Sequence, residues 1–107
     1  MHPSLRMRQY ERQSVVTATP DQLVAKLYDL GVSACYRDDR PKVRAVLVEL
    51  VGSLDFEAGG EVADGLHALY EFCLRESIDG DLAAVGDLLG GLREAWAEGV
   101  LAPRAAA

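Results

Sequence analysis

Four runs of apolar residues repeat at helical spacing along this chain, each cut from the next by a proline, glycine or aspartate turn. Leu23, Leu27, Leu30 and Ala34 recur at i, i+4, i+7 and i+11, with Val24, Tyr28 and Cys35 beside them. Val43, Val46, Leu47, Leu50, Val51 and Leu54 restate the period, as do Val62, Ala63, Leu66, Leu69, Tyr70, Cys73 and Leu74. Leu82, Val85, Leu89, Leu92, Trp96 and Val100 make the last run. A period of 3.6 gathers each set on one face of a helix, and no stretch alternates as a strand does. Four such faces must be buried against one another, which predicts an all-α fold, an antiparallel up-down four-helix bundle.

Boundaries follow from local chemistry. Thr19-Pro20-Asp21-Gln22 reads as a capping box: Thr19 accepts from an orphan N–H, Pro20 suits the first helical position, Asp21 favours the positive end, and Gln22 reaches back. The first helix should end near Arg37. Asp38-Asp39-Arg40-Pro41 is a turn carrying its own cap candidate, so the second helix spans about 40–53. Gly59-Gly60 breaks the pattern ahead of the third helix, with Glu61 at its positive end. Ile78-Asp79-Gly80-Asp81 supplies a glycine stop and then an Asp cap, and the fourth helix runs from near Leu82 to about Glu98. The expected organisation is an N-terminal arm (1–18), a bundle (19–100) and a fraying Ala-rich tail (101–107). Leu5, Met7, Tyr10, Val15 and Val16 make the arm too apolar for a purely solvated tail, so it should lie on the bundle, either as simple packing or where a ligand displaces it.

Composition removes several function classes. At 107 residues and 50% hydrophobic content the chain suits one domain, burying about 60–65% of its unfolded surface without metals or disulfides. Its apolar stretches fall far short of the roughly 20 residues a membrane span needs, and Met1 to Arg12 is polar, so membrane insertion is not expected and the cytoplasm is. With 17 acidic and 11 basic residues, a net charge of −6, and no basic stripe interleaved with aromatics, nucleic acid is not an expected partner. Cys35 and Cys73 sit in apolar helical patterns and read as buried, reduced thiols. Asp64 and His67 have the i, i+3 spacing of one arm of a di-iron bundle. The only other histidine is His2, so the ligand count fails and no metal or cofactor is expected. Neither cysteine has a plausible histidine partner set and no GxSxG or phosphate-cradling loop occurs, so the chain is not expected to be an enzyme.

The fourth helix has two faces. Beside its large apolar residues, Ala83, Gly86, Gly90 and Ala97 form a small stripe. Gly86, Gly90 and Gly91 together forfeit about 2–3 kcal/mol of helix propensity relative to alanine, which some close contact should offset. Periodicity leaves open whether that contact is internal packing or a partner's helix lying in a groove. Trp96 poses the same choice between core and hot spot.

Taken in order, Tyr10, Thr19-Pro20, Leu23, Leu27-Tyr28-Asp29, Leu54-Asp55, Gly59-Gly60-Glu61-Val62-Ala63, Leu66, Leu69-Tyr70, Leu89 and Leu92-Arg93-Glu94-Ala95-Trp96 resemble the FliS family of flagellar secretion chaperones. The resemblance covers residues 10–30 and 54–98, and it implies a four-helix antiparallel bundle with an N-terminal arm or cap. It departs from the family between Asp29 and Leu54, where the chain is shorter by roughly four helical turns, and between Tyr70 and Leu92, shorter by roughly two. Both shortenings bracket hairpin turns at one end of an up-down bundle. A second departure is Leu30-Gly31, where the family usually places glycine directly after Leu-Tyr-Asp. The function implied is binding the disordered C-terminal segment of flagellin in apolar grooves, so that it does not polymerise before export. The partner contacts it suggests are Tyr10, Val15, Val16, Leu27, Tyr28, Leu66, Tyr70, Gly86 and Gly90. Two other readings stay open: an adaptor of the same fold for another export component or regulator, and a module that self-associates, with a monomer or weak homodimer expected.

Overall fold

A computed structural model of the chain describes residues 20–99, and every regular element among them is helical: α1 (Pro20–Tyr36), α2 (Arg40–Gly52), α3 (Phe56–Asp79) and α4 (Leu82–Ala97). Three of the four helix starts are fixed by an aspartate whose carboxylate accepts from orphan backbone N–H groups. Asp39 takes Lys42 N at 3.2 Å, Asp55 takes Ala58 N at 3.0 Å, and Asp81 takes Ala83 N at 2.9 Å and Ala84 N at 3.2 Å. Thr19, the expected cap of α1, lies outside the described residues, while Pro20 opens the helix as its fixed φ favours.

Helix α3 begins earlier than its glycine pair suggests. Asp55 caps a first turn from Phe56, and the break falls at Gly60, whose φ of 50° and ψ of −125° interrupt the helical path before Glu61 resumes it. Only glycine adopts that backbone without strain, so the glycines mark a kink inside α3 rather than its start. At its other end Gly80 caps the helix, its N–H donating to Glu76 O at 2.8 Å, and two arginines of α2 reach carbonyls at the same end. Arg40 donates to the carbonyls of Glu76, Ser77 and Gly80, at 3.3, 3.3 and 2.9 Å, and Arg44 donates to that of Ser77 at 3.3 Å. Cations at the negative end of a helix dipole, meeting its last carbonyls, stabilise both the helix end and its docking on α2.

The core gathers one stripe from each helix: Leu27, Tyr28 and Ala34; Val43, Val46, Leu47 and Leu50; Leu66, Tyr70 and Cys73; Leu82, Val85, Leu89 and Trp96. Helix α1 is central, packing extensively on α4 and α2, while α3 packs on α2 and only lightly on α4. Where α1 crosses its neighbours, Gly31 leaves no room for a side chain: a Cβ there would stand 2.9 Å from Leu89 Cδ1 and 3.3 Å from Val46 Cγ1. Leu69, placed on the apolar face by periodicity, is exposed, and so are Phe72 and Ile78.

Candidate functional site

Tyr28 and Tyr70 are fully buried on α1 and α3, and their hydroxyls meet at 2.6 Å. Among the described residues neither phenol has another polar partner, so the pair satisfies itself in the apolar interior. Burial pushes the Tyr28 phenol above its usual range, and it raises Tyr70 further because the neighbouring Tyr28 disfavours a second charge. Trp96 closes the same region, its ring edge-on to Tyr28 with centroids 5.9 Å apart and its Nε1 donating to Asp21 O at 2.9 Å. Losing one hydroxyl strands the other, whereas losing both leaves two matched apolar rings. Tyr70→Phe should therefore cost about 1–3 kcal/mol in urea unfolding, and adding Tyr28→Phe should restore most of it. Additive losses would mean that the two hydroxyls do not depend on each other.

The thiols are held neutral. Burial raises Cys35, and it raises Cys73 to about 11, helped by the nearby Cys35 and Glu76. A thiol this far from its thiolate is a poor nucleophile at neutral pH. His67 meets Phe56 edge-on, with ring centroids 5.6 Å apart, and among the described residues no group of three or more His, Cys, Asp or Glu is placed to hold a metal.

What lies open is a groove between the C-terminal half of α1 and α4, with a volume of about 680 Å³. Val32, Cys35 and Tyr36 form its α1 wall, and Leu82 and the small residues Ala83, Gly86, Gly90 and Gly91 form its floor. The small stripe divides here. Gly86 is closed by the neighbouring helix, since a Cβ would meet Cys35 Cβ at 3.2 Å, whereas among the described residues nothing lies within 4 Å of a Cβ at Gly90 or Gly91. Close approach at Gly86 seats α4 on α1, and the vacancy at Gly90 makes the depression beside it. Asp87, Arg93 and Glu94 complete the lining.

Of the expected partner contacts, Gly86 and Gly90 line this groove. Leu27, Tyr28, Leu66 and Tyr70 lie in the core, where their side chains hold α1 and α3 in place rather than face a surface. Tyr10, Val15 and Val16 lie outside the described residues. Sequence reasoning missed Tyr36, Asp87 and Glu94. Asp87 and Glu94 stand three residues before and four after Gly90, the spacing of one helical row, which is the signal that could have found them.

The described residues thus form a small helical bundle with a self-satisfied polar core, neutral thiols and an open groove floored by glycines. The family model described as Flagellar protein FliS matches residues 37–103, and the chain belongs to that family, a family of flagellar chaperones rather than enzymes. No curated protein and no solved structure matches the chain. The matched stretch contains α2, α3 and α4, and it begins after the Leu27-Tyr28-Asp29 motif of α1. No helix among the described residues is long and apolar enough to cross a membrane.

Proposed function

We propose that this protein is a cytoplasmic flagellar export chaperone that holds the disordered C-terminal segment of flagellin and denies it the contacts used in polymerisation. The observation that carries the reading is the groove over Gly90, on a helix inside the stretch that matches the FliS family. A disordered segment that folds as it binds needs an apolar surface to lie on and no catalytic group. Connectors at 37–39, 53–55 and 80–81 are short, which supports an antiparallel up-down order for the helices. In this reading Gly86 and Gly90 touch the client, Leu27, Tyr28, Leu66 and Tyr70 support the walls from within, and Tyr10, Val15 and Val16 contact it from the arm.

Isothermal titration with the C-terminal segment of flagellin from the same organism tests this. Saturable one-to-one binding is the expected result. Gly90→Leu should weaken it about tenfold or more, a loss of about 1.4 kcal/mol, by filling the groove. Because nothing stands within 4 Å of a Cβ at Gly90, the variant should unfold no more easily than the parent. A folded parent that does not bind the segment would reject flagellin as client.

A further inference from the structure

The charges around the groove are uneven, and this bears on what lies in it. Arg93 is tied back to Asp29 of α1 by an ion pair at 3.1 Å, so its charge is met within the protein. Asp87 and Glu94 line the same groove, are exposed, and make no ion pair among the described residues. On α4, Ala83, Asp87, Gly90, Glu94 and Ala97 succeed one another at intervals of four, three, four and three residues, so they form one row along the helix. The two carboxylates thus flank the Gly90 vacancy, seven residues and about 10.5 Å apart along the axis. The described body carries this excess throughout, with 16 acidic against 7 basic residues in 20–99, a net charge of −9.

We infer that the groove takes an amphipathic helical segment of a partner protein that presents small or apolar residues to Gly90 and Lys or Arg residues about two turns apart to Asp87 and Glu94. The inference rests on the chaperone reading for the existence of a client and adds the charge pattern that selects it. Helix seated in groove is a general mode in which apolar contact supplies affinity, while complementary charges fix register and exclude wrong partners. Tyr36, at the end of the α1 wall and 90% exposed, offers the segment an aromatic face on the other side.

The test uses the full-length protein and two synthetic amphipathic helices that share one apolar face and differ only in carrying Lys or Glu at two positions about two turns apart. The Lys peptide should bind and the Glu peptide should not. The double variant Asp87→Lys/Glu94→Lys, changed at two exposed positions, should invert that preference. Reversing two such charge pairs should weaken the Lys peptide roughly tenfold. The same variant should lose flagellin-segment affinity by a similar factor, and the wild-type affinity should fall with added salt. Equal binding of both peptides, or a preference that the double variant leaves unchanged, would overturn the inference. So would a dimer in sedimentation that Gly90→Leu dissociates while neither peptide binds, since the groove would then hold a second copy. Flagellin-segment binding that ignores both salt and the double variant would overturn the inference but leave the chaperone reading standing. Lys-peptide binding without flagellin-segment binding would do the reverse.

Discussion

Trp96→Ala should remove about 3–5 kcal/mol of stability, the range for truncating a large buried aromatic. The indole is 6% exposed, lies edge-on to Tyr28, and ties α4 to the first turn of α1 through Asp21 O at 2.9 Å. Truncation therefore opens a cavity between the two helices that form the groove and also deletes a bond that joins them. Against a total of about 5–15 kcal/mol for a domain, the variant is left close to unfolding at ordinary temperature. Its Tm should drop by more than about 10 °C, since each kcal/mol moves a domain of this size by about 4–8 °C. Circular dichroism is the measurement of choice, because the variant has lost the only tryptophan. Trp96→Phe separates the two contributions: it keeps most of the apolar volume and loses the donor, and should cost only about 1 kcal/mol, the net value of one hydrogen bond. A Trp96→Ala loss below 1 kcal/mol would show that the indole is not part of the core.

The helices were readable because apolar period and cap chemistry agree at the same places. Asp39 and Asp81 cap α2 and α4 where the turns put them, and the described part of α1 starts at Pro20, directly after Thr19, its expected cap, which lies outside the described residues. Asp55 was harder to see, because the Gly59-Gly60 pair is the stronger local signal and a glycine break reads as a boundary whether it starts a helix or kinks one. The Tyr28–Tyr70 contact could not be read at all. Each tyrosine falls on an apolar face, but their meeting depends on the vertical register of α1 against α3, set by packing 42 residues apart in sequence. The candidate site was legible as a stripe and not as a groove. Gly86 and Gly90 are equivalent by periodicity, and what separates them is Cys35, whose Cβ closes over one and not the other.

The same argument gives Gly31 and Gly90 opposite fates under one substitution. Both are glycines inside a helix, so leucine at either recovers most of the roughly 0.8–1 kcal/mol by which glycine falls short of alanine in helix propensity. At Gly90 that gain stands alone, because the added side chain enters open space. At Gly31 even the first carbon would sit 2.9 Å from Leu89 Cδ1 and 3.3 Å from Val46 Cγ1, so α4 and α2 confine it together. Overpacking a filled core costs about 1–3 kcal/mol and at times more, and here three helices must separate to admit four carbons. Gly31→Leu should thus lose about 3 kcal/mol in chemical unfolding, while Gly90→Leu loses nothing measurable. Gly31→Ala tests the mechanism, because its single methyl meets the far end of a flexible leucine that can rotate away, and the remaining strain should nearly cancel the propensity gain. Pairing Gly31→Leu with Leu89→Ala should then recover part of the loss, as the volume added on α1 occupies what α4 gives up. A Gly31→Leu variant as stable as the parent would mean that α1 and α4 do not approach as closely as Leu89 implies, and the groove beside Gly86, which depends on that approach, would lose its floor.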